Sequence, residues 1–279
     1  MDKIVRQNIY FLGIGGIGMS ALARYFHNKG CAVSGYDKTP SPLTKKLEEE
    51  GIFIHYEDNP ELIPSEIDFV ILTPAIPSDL LELNYLRDRG VKMIKRAQVL
   101  GEISRQCKSV AVGGSHGKTT VTALITHMLH YAQKPMSAFV GGIAKNINSN
   151  VIIGDENDEI VVMEADEFDR SFLQLSPYIS IVTSIDADHL DIYGDKEQLE
   201  DAFNQFVNKT VNDGVVICRQ GLPIDTNKKK LTYGLKDASV MARDIRVDDG
   251  MTKFSVVTEE GLELGNYKMQ LFGEHNVMN

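Results

Sequence analysis

Apolar residues recur along this chain in two alternating rhythms. Short continuous runs at Asn8–Leu12, Ala32–Tyr36, Ile52–His55, Phe69–Leu72 and Val91–Ile94 read as buried strands. Between them the period lengthens to that of a helix. The segment after the first run turns Leu22, Tyr25 and Phe26 to one side and ends at Gly30, and Pro42–Glu50, Leu80–Arg89 and Gln98–Arg105 read as further helices. Strands alternating with helices predict an α/β fold with a parallel, doubly wound sheet. The alternation restarts beyond Gln106, so the expected division is 1–106 and 107–279. In the second part a strand ending at Val112 precedes a helix with Val121, Leu124, Ile125, Met128 and Leu129 on one stripe. Strands follow at Met136–Val140, Ile160–Met163 and Ile179–Ile185, then a helix with Leu199, Ala202, Phe203, Phe206 and Val207 on one face, and a strand at Gly214–Cys218. Leu231–Leu271 reads as shorter, antiparallel strands.

The turns between these elements carry the chemistry. Gly13-Ile14-Gly15-Gly16-Ile17-Gly18 has the G-x-G-x-x-G spacing of a Rossmann-type unit, where glycines let the backbone approach a diphosphate. Asp37 closes the second strand about twenty residues on, where an acidic side chain meets a ribose hydroxyl. That combination does not separate NAD from other diphosphate nucleotides, so a nicotinamide-dependent dehydrogenase or a nucleotide-binding module stays open on these residues. Thr73-Pro74-Ala75-Ile76-Pro77 lies at a strand's carboxyl end, where open sheets bind ligands.

A second phosphate loop sits mid-chain. Gly113-Gly114-Ser115-His116-Gly117-Lys118-Thr119-Thr120 joins a strand to a helix, so unpaired amides and the helix dipole favour an anion there. Lys118 supplies a charge to the outer phosphates and the Thr119 hydroxyl a ligand to Mg²⁺. The general pattern wants glycine where Val112 stands, so the loop is tighter and starts effectively at Gly114. Downstream, the apolar strand Ile160–Met163 runs into Glu164-Ala165-Asp166-Glu167, a place where a nucleotide's Mg²⁺ is held by hard oxygen ligands. Asp186-Ala187-Asp188-His189-Leu190-Asp191 ends the next strand and makes a second metal- or phosphate-facing cluster. His27, His55, His127 and His130 have no such setting and read as ordinary surface or core histidines.

Composition narrows the partners. Lys plus Arg is 29 against 39 Asp plus Glu, a net charge of −10, which argues against broad binding to nucleic acid or anionic membranes. The three cysteines lack metal spacing and suit a reducing cytoplasm. No signal peptide and no membrane-length apolar run is visible. Oligomeric state is not legible.

Taken together, Gly13–Ser20, Gly114–Thr120, Glu164–Glu167 and Gly273-Glu274-His275-Asn276-Val277-Met278-Asn279 resemble the Mur ligases, in order and over essentially the whole chain. In that family the tight phosphate loop begins three residues before Gly-Lys-Thr, so Val112 fits. The resemblance implies a Rossmann-like N-terminal domain for a UDP-sugar, a P-loop ATPase-type central domain, here incomplete, and a C-terminal amino-acid-binding domain that is absent. It implies a bacterial cytoplasmic enzyme of peptidoglycan precursor synthesis. ATP and Mg²⁺ (or Mn²⁺) would activate the carboxylate of UDP-N-acetylmuramate as an acyl phosphate, which L-alanine then attacks; a member adding a tripeptide in wall recycling is the alternative. A chain lacking the third domain is expected not to turn over. Carried onto this sequence, Gly15, Gly16, Ile17 and Gly18 would hold the UDP diphosphate, with Asp37, Thr73 and Arg96 nearby and Asn146 facing the sugar. Gly114, Ser115, His116, Gly117, Lys118, Thr119 and Thr120 would bind ATP, with His275, Asn276 and Asn279 flanking the adenosine. Thr119, Glu164 and His189 would be metal ligands, and Lys118, Glu164 and His189 catalytic. Phe168 departs from the small polar residue usual in the family and carries no role.

Overall fold

The computed structural model describes residues 7–144, 149–154, 160–186 and 193–279. Asn146 and His189 lie outside them. Contacts group the chain into two units, Met1–Cys107 with Thr126–Val162, and Lys108–Ile125 with Met163–Asn279.

The first unit contains a five-stranded sheet in the order β3-β2-β1-β4-β5, built from β1 (Asn8–Leu12), β2 (Ala32–Tyr36), β3 (Phe53–His55), β4 (Phe69–Leu72) and β5 (Lys92–Lys95). Every pairing is parallel, as the apolar runs require. The order reverses between β1 and β4, and at such a switch point the loops after the two strands diverge and leave a crevice. Gly13 follows β1 and Thr73 follows β4. The helices are α1 (Ile17–Asn28), α2 (Pro42–Glu49), α3 (Leu81–Asp88) and α4 (Arg96–Gln106). The expected helix at Gln98 begins two residues earlier, which makes Arg96 its first residue. Helix α2 starts with a complete capping box: Ser41 Oγ accepts from the Thr44 amide at 3.2 Å, and Thr44 Oγ1 accepts from the Ser41 amide at 2.9 Å. Helix α1 has Gly16 at its N-cap position and no side-chain cap. Its opening amides therefore have no partner within the helix and none from a capping side chain.

Tyr10, Leu12, Tyr36, Val70, Leu83 and Leu86 form a core between the sheet and α3. The other side of the unit includes the antiparallel pair β7 (Met136–Ala144) and β8 (Ser149–Ile152), with Phe139 opposite Val151.

In the second unit β6 (Lys108–Gly113) lies beside β10 (Ile179–Val182), and the carboxyl end of β9 (Ile160–Glu164) flanks β6 through the Ala165 amide, which donates to the Val112 carbonyl at 2.8 Å. The sheet continues through β11 (Val215–Arg219), β12 (Lys229–Gly234), β13 (Val240–Asp248), β14 (Met251–Thr258) and β15 (Glu263–Met269). Among the described residues its helices are the first part of α5 (Lys118–Tyr131, in this unit to Ile125), α6 (Lys196–Asn208) and the short α7 (Glu274–Met278).

Three expectations change here. Strand β12 pairs parallel to β11 and to the start of β13, and in this extension the antiparallel pairings are β13–β14 and β14–β15; β13, β14 and β15 are its longest strands, not short ones. Strand β10 stops at Val182 because Thr183 and Ser184 turn their polar groups to the P-loop instead of extending the ladder. On α5 the stripe is shifted: Met128 is 59% exposed, whereas Thr122 and Thr126 are buried beside Val121. Threonine pairs its methyl with a hydroxyl, so an apolar count alone misses it as a core residue.

Candidate functional site

In the first unit the glycine turn opens onto a cavity of about 920 Å³ at the sheet's switch point. Gly15, Gly16, Ile17, Gly18, Asp37, Thr73 and Arg96 all line it, together with Asp58 and Asp79, which sequence reasoning did not single out. Gly13 and Ile14 donate to the Tyr36 carbonyl at 2.8 and 3.1 Å, which folds the turn back over β2. The positive φ of Gly13, +81°, is a conformation a side chain would strain. The Gly15 amide donates to Asp37 Oδ2 at 2.7 Å, and the Thr39 amide to Asp37 Oδ1 at 3.2 Å. Asp37 therefore braces the turn itself, and the amides best placed to meet an anion are those of Ile17 and Gly18 in the uncapped first turn of α1. A Cβ on Gly18 would lie 2.4 Å from Arg96 Nε and 2.5 Å from its Cζ, so the guanidinium rests directly on the turn. Uncapped amides and a guanidinium converging in one cavity suit a diphosphate.

Asp58 is doubly engaged at the cavity's edge. Its carboxylate accepts from the Leu81 and Glu82 amides at 2.9 and 3.0 Å, capping α3 from a distant loop. Beneath the cavity lies a buried relay. The Tyr10 hydroxyl is 2.8 Å from His55 Nε2 and 2.5 Å from Glu82 Oε2, and His55 Nδ1 is 2.9 Å from the Glu57 carbonyl. Burial raises the Glu82 carboxyl to about 7 and lowers the His55 imidazole.

In the second unit the P-loop is pinned by the end of β10. The Ser115 amide donates to the Ser184 carbonyl at 3.1 Å, the His116 amide to Ser184 Oγ at 2.9 Å, and Thr183 Oγ1 to the Gly113 carbonyl at 3.2 Å and to the His116 carbonyl. Ser115 Oγ donates to the Asp186 carbonyl at 3.1 Å. Gly114 and Gly117 hold φ values of +138° and +85°. Lys118 leads into α5, and its Nζ donates to the Gly114 carbonyl at 2.6 Å and to both Glu167 oxygens at 2.7 and 2.8 Å. Glu167 is only 1% exposed, and the Tyr193 hydroxyl donates to its carbonyl at 2.5 Å. The sequence placed Glu167 beside Glu164 without a role; the spacing of three residues past a strand end was the available signal. Thr119 Oγ1 donates to Glu164 Oε2 at 3.3 Å.

Thr119 and Glu164 thus offer two hard oxygens at the mouth of the phosphate loop. That donor set fits Mg²⁺, which takes one or two protein oxygens and completes its shell from phosphate and water. Among the described residues no group of three or more His, Cys, Asp or Glu is gathered as a metal cage. Asn279 Oδ1 lies 2.6 Å from where a Cβ on Gly117 would stand, so the last residue abuts the P-loop. His275 Nε2 and Asn276 Nδ2 are 3.1 Å apart on α7, and Asn276 also donates to the Phe272 carbonyl at 2.7 Å. Thr120 follows in the first turn of α5. Phe168 is exposed.

Comparison with known proteins follows both halves. Residues 8–108 match the Mur ligase family catalytic domain, and residues 112–279 match the Mur ligase middle domain. The chain is 44% identical over 280 residues to the UDP-N-acetylmuramate–L-alanine ligase of Christiangramia forsetii, covering 98% of this chain and 60% of that protein. It is 47% identical over 278 residues to the ligase of the same name from Flavobacterium psychrophilum, with the same coverage. Among solved structures, the UDP-N-acetylmuramate–alanine ligase of Thermotoga maritima superposes with a TM-score of 0.85 at 29% identity, covering 98% of this chain and 63% of that one. A ligase from Neisseria meningitides, named for UDP-N-acetylmuramate and L-alanyl-γ-D-glutamyl-meso-diaminopimelate, shares the fold with a TM-score of 0.88 at 22% identity, covering 98% of this chain and 90% of that one. The chain spans about 60% of the length of the curated relatives it matches. With a glycine-lined cavity and a braced P-loop each falling in a matched segment, the chain belongs to the Mur ligase family.

Proposed function

We propose that this chain serves an ATP-dependent ligase that joins L-alanine to the carboxylate of UDP-N-acetylmuramate, releasing ADP and phosphate. The observation that carries the reading is the meeting of Lys118, Thr119 and Glu164 at one P-loop, in a chain that also holds a separate glycine-lined cavity. A dehydrogenase needs only the cavity and leaves the P-loop without a purpose.

In this reading residues 1–106 take the UDP-sugar and 107–279 take ATP. The Ile17 and Gly18 amides and Arg96 receive the diphosphate, with Thr73 and Asp37 at the rim. The sugar carboxylate attacks the γ-phosphate and forms an acyl phosphate; the alanine amine then displaces phosphate to give the amide. Both partners of the first step are anionic, so the barrier is electrostatic in large part. Lys118 exchanges its Glu167 contact for phosphate oxygens and neutralises charge on the transferring group. Thr119 and Glu164, with His189 as a further ligand, would hold Mg²⁺, which when bound screens the phosphate oxygens. Support for alanine as the added group comes from the names of the relatives at 44 and 47% identity.

The test uses the whole protein. Lys118→Ala should abolish alanine-dependent ADP formation, at least a thousandfold by the usual weight of such a group in phosphoryl transfer, while UDP-sugar affinity is held. Retained turnover would remove the P-loop assignment, and turnover with a tripeptide but not alanine would move the protein to the recycling reaction.

A further inference from the structure

The glycine turn of the first unit is gripped by a residue far from it in sequence. Asn150 on β8 is fully buried. Its Nδ2 donates to the Ile17 carbonyl at 2.6 Å and to Ser20 Oγ at 3.0 Å, and its Oδ1 accepts from Arg24 Nη1 at 3.0 Å. Ser20 Oγ in turn donates to the Ile17 carbonyl at 2.9 Å. Arg24, itself buried, uses Nε on Glu50 at 2.7 Å. Alongside, the Tyr25 ring lies 5.3 Å from that of Phe139 on β7. The β7–β8 pair is therefore packed along α1, and its amide reaches the helix's first turn.

An apolar side chain of similar volume would seal this contact without the cost of desolvating an amide. What an amide does, and an apolar group of that volume cannot, is donate to a carbonyl and accept from a guanidinium at once. The carbonyl it takes belongs to Ile17, which lines the cavity and opens α1. We propose that Asn150 is a positioning residue for the sugar nucleotide's diphosphate: it fixes the rotation and height of the first turn of α1, so that the Ile17 and Gly18 amides stay aimed into the cavity. This rests on the reading of that cavity as the UDP site. The turn has no cap of its own, so its aim depends on what grips it from behind.

The experiment is calorimetric titration of the full chain with UDP, alongside thermal unfolding and titration with Mg-ATP. Asn150→Asp keeps the acceptor for Arg24 but sets a carboxylate oxygen against the Ile17 carbonyl; Asn150→Leu keeps the volume and removes both bonds. Each should weaken UDP about tenfold, the equivalent of about 1.4 kcal/mol, with Mg-ATP affinity changed less than twofold. Glu50→Gln, which loosens Arg24 without touching Ile17, should leave UDP affinity unchanged. If Asn150→Asp folds and binds UDP as the wild type does, the residue is a packing group and the inference fails. Equal loss in Glu50→Gln would assign the effect to general loosening of α1 and also overturn it. If the wild-type chain binds no UDP, the cavity reading itself fails, a result distinct from either.

Discussion

Glu82→Gln tests the buried relay under the first cavity through its proton count. His55 Nδ1 faces the Glu57 carbonyl, which can only accept, so Nδ1 carries the proton and Nε2 is left an acceptor. Tyr10 then has one proton to share between Nε2 and Glu82 Oε2, both within 2.8 Å. Satisfying both bonds requires one more proton in the cluster. Burial, opposed by hydrogen bonds from Tyr10 and the Asn59 amide and aided by the nearby Asp58 charge, puts it on Glu82, whose carboxyl rises from an ordinary 4.5 to about 7. The folded state therefore holds a proton that the unfolded chain releases between those values. Stability from this group is full below pH 4.5 and is lost as pH rises through 7. At about 1.4 kcal/mol per pH unit the loss is bounded at about 3.5 kcal/mol, and relaxation around the site makes it smaller. Glutamine mimics the protonated acid: its oxygen accepts from the Asn59 amide and its nitrogen donates to Tyr10. Urea unfolding at pH 5, 6, 7 and 8 should show the variant close to wild type at pH 5 and more stable by about 1–3 kcal/mol at pH 8. A difference that stays flat across the range would refute the proton count.

Gly18→Ala should push the Arg96 guanidinium off the turn, since the new Cβ would stand 2.4 Å from its Nε. Because the displaced atoms end a flexible side chain, stability should fall by about 1 kcal/mol, the low end for overpacking, while UDP affinity measured by calorimetry falls at least tenfold; unchanged affinity would separate Arg96 from the ligand. Glu167→Gln removes the carboxylate that holds Lys118 and should cost about 1–3 kcal/mol without nucleotide. Saturating Mg-ATP should shrink that loss, because Lys118 then has phosphate as its partner. A loss of the same size with and without nucleotide would show that Lys118 never leaves Glu167.

The fold was legible where one pattern decided it. Continuous apolar runs gave the parallel strands of the first unit, and Gly13 and Gly117 marked turns that do adopt positive φ. It was less legible where polar atoms do structural work. Thr183 and Ser184 read as the end of a strand and instead brace the P-loop, and Thr122 and Thr126 displace Met128 from the buried face of α5. The contact between Thr119 and Glu164 could be read from spacing, because the loop after β6 and the end of β9 are neighbours. The contact of Asn150 could not, since its partner Ile17 lies 133 residues away and only the folded topology brings the two together. Asp37 shows a finer gap: the sequence offers it to a ribose, whereas the structure also uses it to hold the Gly15 amide.

The central claim is that the chain carries two distinct phosphate cradles, one for a sugar nucleotide and one for ATP. Its most direct measurement is titration of the protein with UDP-N-acetylmuramate and, separately, with NADH, each with and without saturating Mg-ATP. The account predicts binding of the UDP-sugar in both conditions and none of NADH. Tight NADH binding with no response to the UDP-sugar would contradict it.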